Sequence, residues 1–310
     1  MTIELSLIVP AFNESARLSD GYARLAPVIA QLNASSFEVI VIDDGSTDGT
    51  LQRAGEIYGH LENKLFVQQP ANLGKGAALR LGMSLARGTN VVTVDADMAI
   101  DPSNLFDFCA ALKSCDVVAG SRSVDGHITY DKKIRTLAGS TFSKLVRHYA
   151  GTSLRDTQCG MKGYQKGSAR ILSLLAMVDR FAFDAEILFL ANQLGLNVQP
   201  LSVGWNDVGE TSVRLRRDVW PMLRDIRAFR STKYENPVVE LSTSVTAEEV
   251  STLAREARMQ GLVLARSEEN TLLVLGRNDA LGGLGIATAL NGSLRTTKPS
   301  ELIGRSFEAV

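Results

Sequence analysis

Val91-Val92-Thr93-Val94-Asp95-Ala96-Asp97-Met98 is the stretch whose reading decides the fold. Four β-favouring residues in a row predict a strand buried on both faces, as in a parallel sheet. The strand then runs into two carboxylates one residue apart, where a buried run has no structural use for charge. In open α/β sheets, ligands bind just beyond the carboxyl ends of the strands. Asp-x-Asp at such a place offers hard oxygen ligands for Mg²⁺ or Mn²⁺, and the ion can in turn hold a diphosphate. An aspartate after a strand also serves as a turn or cap residue. The neighbouring segments decide between the two readings.

Upstream, Leu5-Ser6-Leu7-Ile8-Val9 reads as a strand halted at Pro10, and Arg17 to Leu32 carries apolar residues at helical spacing. Phe37 to Ile42 is a second buried strand, followed by a helix from Leu51 to Tyr58. Leu65 to Gln68 is a third strand, and a helix then runs from the Asn72–Ala78 segment to Arg87. The Asp-Ala-Asp strand is therefore the last of a β-α-β-α-β-α-β series, which predicts a parallel sheet covered on both faces.

Three of the strand ends carry polar loops that should face the crevice of Asp95 and Asp97. They are Pro10 to Glu14, with Asn13 between; Asp43-Asp44 running to Thr50; and Asn72-Leu73-Gly74-Lys75-Gly76. Pro10, Asn13, Glu14, Asp43, Asp44, Asn72, Lys75 and Gly76 are accordingly candidates for binding substrate. Lys75 combines a positive side chain with a helix start, both suited to phosphate; the alternative is a flexible turn with a solvated lysine. Neither GxxxxGK[ST] nor GxGxxG follows a strand, so ATPase and dinucleotide-dehydrogenase readings lack support.

These loops, taken together with Asp95-Ala96-Asp97, resemble family 2 glycosyltransferases of the GT-A fold, a doubly wound, mostly parallel α/β sheet. The resemblance implies a nucleotide-sugar donor, with Pro10, Glu14 and Asp44 at the base and ribose and Asp95 and Asp97 on a metal–diphosphate. Further on, Arg155-Asp156-Thr157-Gln158-Cys159-Gly160-Met161-Lys162-Gly163-Tyr164 and Arg180-Phe181-Ala182-Phe183-Asp184-Ala185-Glu186-Ile187-Leu188 are similar to the subgroup acting on polyprenyl or dolichyl phosphates, most closely its β-glucosyl branch. Val203-Gly204-Trp205 and Glu210-Thr211-Ser212 continue the match, which runs from Ser6 to Arg230. In the mannosyl branch a glutamine two places past the second aspartate helps bind metal. Ala99 stands there, which fits the glucosyl branch. Eukaryotic members of that branch begin with a membrane anchor that this sequence does not show.

The acceptor decides what further chemistry is needed. A sugar hydroxyl must lose a proton, so a carboxylate would act as general base. A phosphomonoester, with a second pKa of about 6, is already largely dianionic and needs cations instead. Arg122, at the end of the strand Val117 to Ser121, and Arg135 are the candidate cations, surface salt bridging being the alternative. Asp184 is the candidate base or acceptor orienter, with helix N-capping as its competitor. Asp156 and Gln158 are expected to shape the acceptor mouth, and Glu186 to pair with a basic partner. Two other readings stay open: a soluble hydroxyl acceptor, and a non-catalytic nucleotide-sugar binding protein.

Composition limits the context. A chain of 310 residues with 45% hydrophobic and 22% charged residues is an ordinary globular sequence, and a net charge of −1 argues against bulk nucleic-acid binding. Cys109, Cys115 and Cys159 form no CxxC pair and read as reduced thiols. No run approaches the ~18 apolar residues of a membrane span, and the N-terminus lacks the basic region of a signal peptide. The expected location is cytoplasmic, or peripheral on the cytoplasmic face. The segment Ile134 to Tyr149 and the run from Arg214 to Lys233 both read as basic amphipathic helices. The apolar stripe of the second is expected to pack on the sheet, leaving its arginines for anionic lipid.

The character changes near residue 235, dividing the chain into a catalytic domain over 1–235 and a small α+β domain over 236–310. In the latter, strands at Val238–Leu241, Leu262–Ala265 and Thr271–Leu275 with helices at Ala247–Met259 and Asp279–Leu290 follow a ferredoxin-like order. It carries no cluster of ligand residues, so an oligomerisation or regulatory module is expected.

Overall fold

The computed structural model describes residues 2–124, 127–128, 154, 156–205, 215–231, 238–242, 263–267, 272–275, 293–297 and 307–309. Strands β1 (Leu5–Ala11), β2 (Phe37–Asp43), β3 (Asn63–Gln68) and β4 (Asn90–Thr93) alternate with helices α1 (Leu18–Ile29), α2 (Thr50–Tyr58) and α3 (Lys75–Leu85). Then come α4 (Asn104–Ala111), β5 (Val117–Ser121) and a short hairpin, β6 (Ser123–Val124) with β7 (His127–Ile128). The domain continues through β8 (Lys162–Gln165), α5 (Lys166–Leu175), α6 (Phe183–Gln193), β9 (Val198–Ser202) and α7 (Leu215–Ser231). One seven-stranded sheet has the order β3-β2-β1-β4-β8-β5-β9. Every pairing in it is parallel except that β8 runs antiparallel to β4 and β5.

The unbroken apolar strands follow from burial on both faces. Ile8, Ile40, Ile42 and Val91 point into one core with Met83, Leu172, Ile187 and Leu190 of α3, α5 and α6. Leu7, Val9, Val39, Val41 and Val92 point into the other, against Leu18, Leu25, Ala54, Tyr58, Leu105 and Phe108. Successive side chains alternate between two apolar layers, so the sequence shows no apolar–polar alternation. β1 runs one residue past the proline expected to end it, with Pro10 in register with Ile42. β4 is shorter than its apolar run and ends at Thr93.

β8 was not foreseeable from pattern. It is Lys-Gly-Tyr-Gln, with a charge and a glycine where a central strand ordinarily carries branched apolar residues. A side chain at Gly163 would reach to 2.8 Å from the Phe108 ring of α4, so only glycine lets that helix lie on the strand. On α7, Met222, Ile226 and Phe229 are buried and the Phe229 ring lies 5.2 Å from that of Phe189, while Arg224, Arg227 and Arg230 are exposed. The apolar stripe is buried, as expected, with its ring contact on helix α6 where the sheet was expected. Among the described residues no helix is long and apolar enough to cross a membrane.

The C-terminal strands are β10 (Val238–Ser242), β11 (Val263–Ser267), β12 (Leu272–Leu275), β13 (Ser293–Thr297) and β14 (Phe307–Ala309). They form an antiparallel sheet of order β13-β10-β12-β11-β14. Counting from β10, its first four strands lie in the order 4-1-3-2, which is that of a split βαβ unit. β13 and β14 go beyond the three strands expected. The two helices expected in this segment lie outside the described residues.

At the end of the sheet away from the crevice, Glu38 is buried and accepts hydrogen bonds from Ser6 Oγ (2.5 Å), Arg87 N (2.8 Å) and Arg87 Nε (2.8 Å). Ser6 Oγ in turn accepts the Gly88 amide at 2.8 Å. This network ties β1 and β2 to the turn entering β4. Glu38→Ala is expected to lower stability by roughly 3 kcal/mol in chemical denaturation, because charged hydrogen bonds are lost and buried donors are stranded. Turnover per folded molecule should stay at the wild-type level.

Candidate functional site

The loops after β1, β2 and β3 meet at the carboxyl ends of the parallel strands, and hydrogen bonds lock them together. Asn13, held at a positive φ of 53°, donates its amide to Ser46 Oγ (2.9 Å) and accepts Thr47 N with Oδ1 (3.0 Å). Asp48 accepts from Ser15 and Thr50, and these bonds outweigh desolvation and lower its pKa. Asp43 accepts Ser46 N (3.0 Å) and Gln68 Nε2 (2.8 Å), so its buried carboxylate organises the turn. Asp44 accepts the Leu73 and Gly74 amides, each at 2.8 Å, fixing the third loop against the second. Burial nevertheless raises its pKa, with the two amides and Arg180 opposing. Asn72 is exposed, and its backbone packs beside Gly45, where a Cβ would come within 2.7 Å of the Asn72 amide nitrogen.

Glycines set the third loop. A Cβ on Gly74 would meet Asp179 O at 2.3 Å, and one on Gly76 would meet Val178 O at 2.4 Å. Gly-Lys-Gly is therefore a tight seat against residues 178–183, which answers the flexible-turn alternative. The Ala77 amide is taken by Asp179 O at 3.0 Å, so this part of the α3 N-terminus faces protein.

Lys75 reaches the Asp-Ala-Asp turn. Its Nζ lies 2.6 Å from Asp95 Oδ1 and 3.9 Å from Asp184 Oδ2. Asp184 Oδ1 is held at 2.5 Å by Nζ of Lys162, a buried side chain that also donates to Cys159 O at 2.6 Å. The charges thus alternate along Asp95–Lys75–Asp184–Lys162. Desolvation pulls the Asp95 carboxyl upward, but the Lys75 ammonium, helped by Lys162 and Arg122, holds it below the usual range. Lys75 is likewise driven up by Asp95 and Asp184 against its burial. Asp184 sits in the first turn of α6 and makes no capping hydrogen bond there. Its two oxygens face two ammonium groups instead.

The turn itself is compact. Met98 has a φ of 47° and its amide bonds Asp95 O at 3.0 Å, while Asp97 Oδ1 accepts Ala99 N at 3.1 Å. A Cβ on Gly21 would meet Ala96 O at 2.2 Å, so α1 lies directly on the turn. Glu14 stands nearby. Burial raises its pKa against Arg17, and the charges of Asp97 and Asp95 add to the rise. Glu14 Oε2 is buried without a hydrogen-bond partner. Among the described residues no group of three or more His, Cys, Asp or Glu side chains could hold a metal alone. Two carboxylates completed by substrate phosphates is, however, a common Mg²⁺ arrangement. The donor set of Asp95 and Asp97 fits such an ion.

On the other flank, Arg122 and Asp156 form a bidentate pair, Nε to Oδ2 at 2.8 Å and Nη2 to Oδ1 at 3.0 Å. Although Asp156 is desolvated, Arg122 holds its carboxyl below the usual range. Gln158 donates its amide to Asp156 Oδ1 at 3.2 Å, and its Nε2 is buried without a partner. Burial pushes the Cys159 thiol up to about 12, an inert core group. A Cβ on Gly160 would stand 2.0 Å from Asp95 Oδ2, so the Asp156–Gly160 run packs against the Asp95 carboxylate without space between. Arg135 lies outside the described residues.

Glu186 departs from its expected pairing with a basic side chain. It is fully buried and accepts the Met177 amide at 2.9 and 3.0 Å and the Val178 amide at 2.8 Å. Arg80 pairs with Asp179 and donates to Ala176 O and Val178 O. Together they fix the turn on which Gly74 and Gly76 rest.

The structure thus brings Lys75, Asp95, Asp184 and, across Gly160, Asp156 into one assembly. Pro10, Asn13, Asp43, Asp44 and Asn72 lie in the bonded loops beside it. Lys162 lies inside the Arg155–Tyr164 run, but sequence reasoning gave it no role; a lysine between apolar residues, in Met-Lys-Gly-Tyr, was the local signal.

A doubly covered sheet with a carboxylate-bearing turn after β4, and loops gathered over it, is the architecture of the GT-A fold. Its backbone is similar to that of glucosyl-3-phosphoglycerate synthase from Mycobacterium tuberculosis, crystallised with Mn²⁺, UDP and glucosyl-3-phosphoglycerate. The TM-score is 0.54 at 19% identity, over 73% of this chain and 78% of that one. Residues 6–172 match the model of glycosyl transferase family 2, and the chain belongs to that family. It is 36% identical over 225 residues to a dolichyl-phosphate β-glucosyltransferase of Drosophila melanogaster, covering 67% of this chain and 68% of the relative. The human protein of the same name is 30% identical over 223 residues, covering 67% and 68%.

Two measurements check the site. In Gly160→Ala the new methyl has to displace Asp95, so turnover should fall by roughly tenfold or more, for an overpacking cost of only about 1–3 kcal/mol in stability. Burial pushes the Glu186 carboxyl up to about 7 from the ordinary 4.5, against the opposing bonds from Met177 and Val178. The folded protein therefore holds this proton more tightly than the unfolded chain. The resulting stability is full below 4.5 and is lost as pH rises through about 7. Glu186→Gln removes the titration, so its melting temperature relative to wild type should climb between about pH 5 and about pH 8.

Proposed function

We propose that this enzyme moves glucose from UDP-glucose to a polyprenyl phosphate with inversion at the anomeric carbon. The names of its relatives supply the sugar and acceptor class. The observation that carries the reading is Asp184, the carboxylate on the acceptor side, whose two oxygens face Lys162 and Lys75 at 2.5 and 3.9 Å. With Oδ1 on Lys162 and Oδ2 turned to Lys75, neither oxygen is left facing an incoming hydroxyl as a proton acceptor. A hydroxyl nucleophile would need one, whereas a phosphate dianion attacks without giving up a proton. The acceptor phosphate would be drawn instead by Arg122, with Asp156 holding the guanidinium in place. Arg135 is proposed as the second cation. Gln158, with its buried unpartnered amide, is suited to donate to the same group.

On the donor side, Pro10, Asn13, Glu14, Asp44 and Asn72 would enclose the nucleoside, and Lys75 would meet the diphosphate. Asp95 and Asp97 would hold Mg²⁺ or Mn²⁺, which when bound offsets the charge developing on the leaving diphosphate. Ala99, in place of a further polar ligand, favours glucose over mannose. The exposed arginines of α7, opposite its packed stripe, suit peripheral contact with an anionic membrane on its cytoplasmic face. Residues 236–310 are proposed as a separate domain for self-association or regulation.

The test is incubation of the protein with labelled UDP-sugars, Mn²⁺ and a short polyprenyl phosphate. Label from UDP-glucose should pass into the organic phase, and chelation with EDTA should abolish transfer. Asp184→Asn should slow turnover about tenfold, far less than the roughly 10²–10⁴-fold expected where a general base is removed. Label found only on water-soluble acceptors would sink the lipid-phosphate reading.

A further inference from the structure

Lys162 is a lysine with 1% of its side chain exposed, on the one antiparallel strand of the catalytic sheet. An ammonium so buried is strongly unfavourable unless it is fully paired. Its partners come from two different segments: Asp184 at the start of α6, and the carbonyl of Cys159 in the Asp156–Gly160 run. Its backbone is fixed as well, since Lys162 is in register with Thr93, the last residue of β4 ahead of the Asp-Ala-Asp turn. Lys162 is thus held from three sides and has no freedom to follow a ligand.

Lys75 is differently placed. It is 21% exposed at the crevice and has two carboxylates within ion-pair range, Asp95 at 2.6 Å and Asp184 at 3.9 Å. Which of them it approaches depends on how much charge Asp184 has left to offer. With Oδ1 of Asp184 already neutralised by Lys162, Lys75 stands with Asp95, at the crevice floor. Without that neutralisation Asp184 would be a buried carboxylate with Lys75 as its nearest cation, and such a charge recruits a partner strongly. Lys75 would be drawn inward and leave Asp95.

We infer that Lys162 is a positioning residue for sugar transfer: by permanently neutralising Asp184 it keeps Lys75 at Asp95, in reach of the donor diphosphate. The inference rests on the reading of the site as a sugar-nucleotide transferase. It assigns Asp184 the part of an electrostatic spacer between two lysines.

The experiment compares kcat and KM for UDP-glucose in wild type, Lys162→Met, Asp184→Asn and the double variant. Lys162→Met should lose about 100-fold in kcat, the order expected when a reacting group's partner moves by about an ångström, with donor KM nearly unchanged. The double variant should be no slower than Asp184→Asn alone, because with Asp184 neutral there is no charge left to pull Lys75 away. Wild-type kcat in Lys162→Met would overturn the inference, as would losses that multiply in the double variant. If Lys162→Met does not fold, the double variant, which removes both buried charges together, carries the comparison against Asp184→Asn. Wild-type protein that moves no glucose to the lipid phosphate would sink the acceptor assignment alone. The four proteins are then ranked on whichever sugar nucleotide the wild type consumes, with the same two outcomes deciding.

Discussion

The alternating row Asp95–Lys75–Asp184–Lys162 is the constraint on which the site depends. Each charge in it is justified by the next, and the four residues come from the turn after β4, the start of α3, the start of α6 and strand β8. In a partly buried setting a missing member leaves a neighbour uncompensated, which is why such rows behave as units. The surrounding architecture serves to bring these four elements to one place: three parallel strands end there, and the inserted antiparallel strand brings the fourth charge from beneath.

Close packing does the rest of the positioning. Gly74 and Gly76 let the Lys75 loop settle on the turn that Glu186 and Arg80 hold, and Gly160 lets the Asp156–Gly160 run lie against Asp95. The Asp156–Gly160 run and the Asp-Ala-Asp turn are therefore in direct steric contact at Asp95, so a change of shape in one reaches the other through a non-bonded contact.

Much of this was legible beforehand, for physical reasons. Strands buried on both faces leave continuous apolar runs, and helices between them leave a 3.6-residue period, so the order from β1 to β4 could be read directly. The polar loops could be placed because parallel strands put their ends on one side. What could not be read depends on partners distant in sequence. Lys162 and Asp184 are 22 positions apart, and nothing local marks that lysine as buried. Asp43 and Asp44 look alike in sequence; only the structure shows one organising its own turn and the other bonding the loop after β3. Glu186 was expected to find a basic side chain and found two backbone amides instead, an outcome fixed by how α6 meets the preceding turn. β13 and β14 escaped notice because short strands in a small antiparallel sheet carry little pattern of their own.

The place of β8 in the sheet also says something about how the molecule is made. β4 and β5 are not neighbours; the strand between them is contributed by Lys162–Gln165, after the whole of the intervening chain. Until that late segment arrives, a nascent chain that has already formed β1 to β4 ends in a bare parallel edge, and β5 has no adjoining ladder to join. Such an edge is a template for unwanted pairing, and closing it requires a long-range contact of the kind that slows folding. The segment from β1 to β4 is therefore left with an open edge until β8 arrives. Its completion during synthesis waits on the same strand that delivers the buried lysine, and the charge balance of the site waits further, on Asp184 of α6.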